Sequence, residues 1–205
     1  MKLKNYFGLI LLVTAQAAPG ATQIKTTNVK TTDEKTAPKS AASALTVKDG
    51  TLNFFAIGKP SMLKIHGESS ALTGTATQNN HSLTADLEVP LDSFETGMKL
   101  RNKHLKEKVF ETSKFDKAKL SITKLELPMA KTGEIKDLPF SGKLNLHGVE
   151  KDISGTATVN VGDKTTTFSA ETNIKMTDFS IQPPEFMGMT IQDQVKVTAK
   201  GEAKN

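Results

Sequence analysis

The side chains best placed to do chemistry are Arg101 and His104, in the stretch TGMKLRNKHLKEKVFETSKFDKAKLSIT that runs from Thr96 to Thr123. Three residues apart, they share one face of a helix. An arginine fork and an imidazole N–H both donate hydrogen bonds, so the pair is suited to holding an oxygen. The alternative is local: Arg101 pairs with Glu95 or Glu107, and His104 caps nearby structure. Lys99, Lys103, Lys106 and Lys108 read as a solvated face, or as a patch for anionic lipid head groups at roughly 1 kcal/mol per lysine.

Other chemistries find no residues. The four histidines, His66, His81, His104 and His147, show no metal-ligand spacing. No phosphate-binding glycine loop, nucleophile elbow or carboxylate pair stands out. The chain has no cysteine, which excludes disulfides, thiolate chemistry and a cysteine-linked lipid. No catalytic residue, metal ligand or cofactor site is assigned.

The elements that must position Arg101 and His104 are strands. In SLTADLEVP, Leu83, Ala85, Leu87 and Val89 alternate with polar residues, the period of a half-buried antiparallel strand. The same rhythm runs through Leu63 and Ile65, through Phe140, Gly142, Leu144 and Leu146, and through Val149, Ile153, Ala157 and Val159. It returns at Phe168, Ala170, Ile174 and Met176, and at Ile191, Val195, Val197 and Ala199. Turn residues separate these runs, so the fold class is all-β, with eight or nine strands that suit an up-and-down barrel. Small inward residues, Ala85, Gly142, Gly155, Ala157 and Ala170, leave room inside or pack beneath neighbouring phenylalanines; both readings stay open.

After Pro90 the alternation stops. Asp92 or Thr96 could cap a helix on which Met98, Arg101, Leu105 and Val109 form one stripe. A short helix with one apolar stripe suits closing an end of a barrel.

The chain's start, MKLKNYFGLILLVTAQAAPG, has two lysines, an apolar run and small residues, the pattern of a secretory leader over residues 1–17. Its apolar run is well short of the roughly 18 residues of a membrane-crossing helix. Residues 18–44, rich in Thr, Lys, Ala, Ser and Pro, have little to bury and read as a disordered tether. Residues 45–205 then form one domain. The chain's +5 charge does not follow it: six of 27 basic and two of 22 acidic residues precede Leu45, leaving 21 against 20. That balance, with no Trp and with the single Tyr in the leader, argues against a nucleic-acid partner.

The Arg-x-x-His-Leu stretch, the later FSGKLNLHGVEKDI and the closing MTDFSIQPPEFMGMTIQDQVKVTAKGE, with FFAIGKPSMLKIHG near the domain start, resemble the YceI-like family of exported polyisoprenoid-binding proteins. The resemblance covers nearly all of the domain. Two departures stand out: FDKAKL where the family often has Tyr-Pro, and Ser180 where it often has Gly after Asp-Phe.

The resemblance implies a lipocalin-like antiparallel barrel whose cavity holds an isoprenoid or quinone-like lipid, in the periplasm and without catalysis. At about 0.8 kcal/mol per buried CH2, a tail of about forty carbons needs little polar recognition. The residues expected to line the cavity are Phe54, Leu63, Ile65, Leu87, Phe110, Phe115, Ile122, Phe140, Leu144, Phe168, Ile174 and Phe179, each of which, taken alone, reads first as ordinary core. Arg101 and His104 are expected at the mouth, near the lipid head group. Peripheral membrane contact and a homodimer are further expectations. The rival reading is a solidly packed barrel that serves as a protein-interaction module. An enzyme acting on a lipid or quinone would need a polar cluster inside the cavity.

Overall fold

The computed structural model describes residues 43–60, 63–79, 81–128, 132–162, 164–186 and 188–204. They lie within one compact unit, Lys39–Asn205. The expected leader and nearly all of the tether lie outside the described residues. Ser43 and Ala44, placed in the tether from sequence, open the first strand.

Strands β1 (Ser43–Lys59), β2 (Lys64–Gln78), β3 (Ser82–Pro90), β4 (Lys117–Glu126), β5 (Gly133–Leu146), β6 (Val149–Val161) and β7 (Thr165–Lys175) pair each with the next. After a short hairpin, β8 (Glu185–Phe186) and β9 (Met189–Ile191), strand β10 (Gln194–Lys204) pairs with both β7 and β1. Every pairing is antiparallel, and the β10–β1 ladder closes eight strands into an up-and-down barrel. Closure removes the open edges that would otherwise invite aggregation.

Register places the predicted apolar sets on the inner face together. Phe54 opposes Val197 on one side and Gly67 on the other, Val89 opposes Ala118, and Ile174 opposes Val195. Bulges keep the alternation in phase where the barrel bends. One sits at Asp49 (φ 56°) in β1 and another at Asp137 (φ 55°) in β5.

The core is divided along the barrel. One cluster fills the end bearing the β2–β3, β4–β5 and β6–β7 hairpins, with Val47, Ile122, Leu125, Leu138, Phe140 and Val159 at its centre. The second lies at the opposite end, against the two long inserts, with Val89, Leu91, Phe94, Leu105, Met176, Phe179 and Ile181 buried. Leu87, Ile153 and Phe168 pack against both clusters and form the layer between them.

The small inward residues prove to mark the tight end. Phe140 lies over Gly155, where an added methyl would come within 2.7 Å of the ring, and Ala85 and Ala157 are buried in the same cluster. Phe168 covers Gly201 in the same way, at 2.8 Å. At Gly155 an added methyl would also run into the Glu171 carbonyl of the neighbouring strand, so only glycine fits. The room is elsewhere.

Candidate ligand cavity

At the other end the inner face is lined largely by aliphatic side chains, and a chamber of about 420 Å³ remains. Its walls are Leu52, Phe54 and Ala56 of β1, Leu63 just before β2 and Ile65 within it, Val89 of β3, Ala118 of β4, Leu144 and Leu146 of β5, Ile174 of β7, and Val195 and Val197 of β10.

Two inserts complete it. The first joins β3 to β4. It begins as a 3-10 turn, Leu91–Ser93, and continues into helix α1, Lys99–His104, which runs on as a π turn, Leu105–Val109. The wider turn is closed by the Phe110 N–H donating to the Leu105 carbonyl at 2.8 Å. Met98, Leu100, Arg101, His104, Leu105, Val109 and Phe110 all reach the chamber, so the stripe expected on the helix faces inward. Phe54, Phe94 and Phe110 meet as a ring trio with centroids 5.5 to 6.4 Å apart. The second insert, between β7 and β10, adds Met176, Ile181, Pro184, Glu185, Met189 and Ile191.

Polar bonds fix the inserts from behind. Glu68 of β2 and Glu95 exchange both backbone bonds, at 2.9 and 2.8 Å. Ser69, only 1 % exposed, shares a 2.6 Å bond with Ser93. No side chain caps the start of α1; instead Asn102 Oδ1 accepts from the Thr96 N–H at 2.7 Å and from its hydroxyl at 2.6 Å. Thr96 thus meets the helix from the loop before it and is not its N-cap. The second insert is held by Asp193, which accepts from the Thr177 N–H at 2.8 Å and its hydroxyl at 2.7 Å. Burial pushes the Asp193 carboxyl up, but these bonds and the charge of Lys175 outweigh it and hold the group below its usual range.

Four lining residues carry polar side chains: Thr96, Arg101, His104 and Glu185. Arg101 does not pair with Glu95 or Glu107. Its terminal nitrogen donates to the Thr96 carbonyl, while Glu95 accepts from Asn102 and pairs with Lys106 at 3.3 Å. The Arg101 Nε–H is buried without an acceptor among the described residues. His104 sits at the exposed rim.

Of the residues expected on the wall, the structure puts Phe54, Leu63, Ile65, Phe110, Leu144 and Ile174 there, with Arg101 and His104 at the rim. It puts six elsewhere. Ile122 and Phe140 belong to the filled end. Leu87 and Phe168 belong to the dividing layer. Phe179 is 1 % exposed beneath the second insert, where a 3-10 turn ends at Ser180 with φ +57°. Phe115 stacks on His147 at 4.2 Å and covers Gly148 at the β5–β6 turn. For the four on strands, Leu87, Ile122, Phe140 and Phe168, alternation reports the face of a strand and carries no information on depth along the axis; Phe115 and Phe179 lie outside the strands.

Lining residues not singled out from sequence include Leu52, Ala56, Val89, Phe94, Ala118, Val195 and Val197. The strand rhythm already held Val89, Val195 and Val197, and their nearness to the insert-bearing strand ends was the available clue. Met176 closes the rhythm of β7, while Ile181 and Met189 lie in an insert with no periodicity to read.

A closed eight-stranded antiparallel barrel with an apolar chamber at one end belongs to the lipocalin-like class of folds. Residues 39–203 match the YceI-like domain, and the chain belongs to that family. Among solved structures it is similar to a polyisoprenoid-binding domain from Saccharophagus degradans implicated in plant cell wall breakdown (19 % identity, 80 % of this chain and 99 % of that one, TM-score 0.62). It is similar also to BcnA of Burkholderia cenocepacia (18 %, 76 % and 96 %, 0.63) and to the YceI protein of Campylobacter jejuni (19 %, 68 % and 84 %, 0.54). These are likenesses of fold. No functionally curated protein matches the chain in sequence.

Proposed function

We propose that the chamber binds one isoprenoid or similar apolar chain, and that the protein is a non-enzymatic carrier or store for it in the periplasm. The observation that carries this reading is a chamber of about 420 Å³ whose polar groups are confined to four lining residues. The similarity to a polyisoprenoid-binding domain supports the choice of chain. The leader-like first residues support the location.

The chamber's size sets how much chain it takes. At ~30 Å³ per water-sized heavy atom, about 420 Å³ holds roughly 14 carbons, close to three isoprene units. At ~0.8 kcal/mol per CH2 their burial is worth roughly 11 kcal/mol, before the several kcal/mol or more that association costs. Selectivity then follows chain thickness and length, and a longer tail leaves its remainder outside. The free Arg101 Nε–H at the rim is the donor available to an oxygen on the ligand. A binding role is favoured over catalysis because Thr96 and Arg101 are engaged in holding the first insert.

Native mass spectrometry of protein exported by its own host, with organic extraction, tests this. A stoichiometric isoprenoid or quinone is expected. Protein that emerges empty and takes up neither farnesol nor a short-chain quinone overturns it, and the filled half of the barrel would then favour a protein-interaction role.

A further inference from the structure

The chamber opens at a place with an unusual surface. Among the described residues the exposed large hydrophobic side chains are Met98, 57 % exposed, and Leu100, 56 % exposed. Both line the chamber, and both flank the first turn of α1. Elsewhere the described surface carries no large hydrophobic side chain as open to water, so this exposure coincides with the mouth.

Charge surrounds the same spot. Residues 99–109 carry Lys99, Arg101, Lys103, Lys106 and Lys108 against a single carboxylate, Glu107. Lys106 is engaged with Glu95, and Lys114 answers Glu111 farther along. Lys99, Lys103 and Lys108 make no ion pair among the described residues, and all three are exposed. Glu185 faces the mouth from the second insert and is the acidic group opposing them there. Exposed apolar side chains and exposed lysines on one short helical segment match the boundary of an anionic bilayer, with hydrocarbon under Met98 and Leu100 and phosphates level with the ammonium groups.

We propose that the mouth of the barrel docks on an anionic lipid bilayer through Met98 and Leu100, with Lys99, Lys103 and Lys108 against the head groups. Docking makes the chamber continuous with the membrane interior. An apolar chain can then slide between the two without crossing water, and the overhang of a tail longer than the chamber stays in hydrocarbon. That last point rests on the proposed ligand; the docking itself does not, because it is measured on empty protein.

The test is co-sedimentation of the exported chain with vesicles of phosphatidylcholine alone or with about 30 % phosphatidylglycerol, at low and high salt. Binding to the anionic vesicles alone is expected, and it should weaken with salt. Replacing Lys99, Lys103 and Lys108 by Gln should weaken it about fivefold per lysine, roughly a hundredfold together. The same triple variant should take up farnesol like the wild type, because none of the three lines the chamber. M98S/L100S should abolish residual binding at high salt. Equal binding to both vesicles, or none, overturns the proposal, while intact farnesol uptake would leave the ligand reading standing. Self-association that M98S/L100S abolishes, without vesicle binding, would also overturn it and assign the patch to a second copy of the chain.

Discussion

Filling the chamber from its wall should separate binding from folding. Ala118, 8 % exposed, stands on β4 opposite Val89 and points into the chamber. Ala118→Phe adds six carbons, which at ~30 Å³ or less each displace on the order of 100–200 Å³ of the cavity's volume. A bound chain loses the burial of about four to six carbons, roughly 3–5 kcal/mol, so its Kd should rise at least a hundredfold. The empty protein has the opposite interest. Filling empty space gains up to ~24 cal/mol per Å³, roughly 2–5 kcal/mol, against about 1–3 kcal/mol for strained packing. Its urea midpoint should therefore hold or rise while affinity for a fluorescent farnesol analogue collapses. Unchanged affinity in a folded variant would show that the chain binds elsewhere, and the volume argument would fail with it.

Three further outcomes follow from the same contacts. Phe168→Ala removes the ring over Gly201 from the dividing layer; it should cost about 3 kcal/mol and shift preference, in mass-spectrometric competition, toward chains about one isoprene unit longer. Asn102→Ala leaves the Thr96 N–H and hydroxyl without their acceptor, which should cost about 1–3 kcal/mol locally and speed ligand release in stopped-flow displacement, with the equilibrium chamber unchanged. Asp193 titrates below its usual range, so its stabilisation is complete above the unfolded carboxylate value and is lost as pH falls through the lowered folded one. Thermal melts between about pH 5 and pH 2 should show this acid limb, and Asp193→Asn should flatten it.

The barrel was legible because period-two alternation is written strand by strand, and its closure follows from strand number and short turns. The insert was legible because alternation stops at Pro90 and a stripe from Met98 to Val109 replaces it. Depth inside the barrel was not legible. Phe140 and Leu144 lie on the same face of the same strand, yet one is packed at the filled end and the other lines the chamber. What distinguishes them is the partner across the sheet: Phe140 faces Gly155, which lets its ring lie inward, while Leu144 faces Lys151 and Leu120. Cross-strand register settles that, and a single strand's sequence does not contain it. The partner of Arg101 was hidden for a like reason, since its acceptor is the Thr96 backbone carbonyl, which has no sequence signature.

The division of the barrel into a filled end and a hollow end bears on mechanism. With Phe140 over Gly155 and Phe168 over Gly201, the hairpin end has no room for a chain to pass, so entry and exit share one mouth. For the chain proposed as ligand, entry tail first means departure tail last, with its polar end at the rim throughout. That places the head group beside the groups that already meet there: the unanswered Arg101 Nε–H, His104, and the insert latched by Asn102. On the proposed function, that insert is the element whose opening would govern exchange. The start of the insert is anchored by buried Leu91, Phe94 and Thr96, whereas from Gly97 to Val109 only Leu105 is buried, so the helical half belongs to the part of the fold that opens at lower cost. The same segment carries Met98, Leu100 and the unpaired lysines, so a surface that engages them acts on the gate itself.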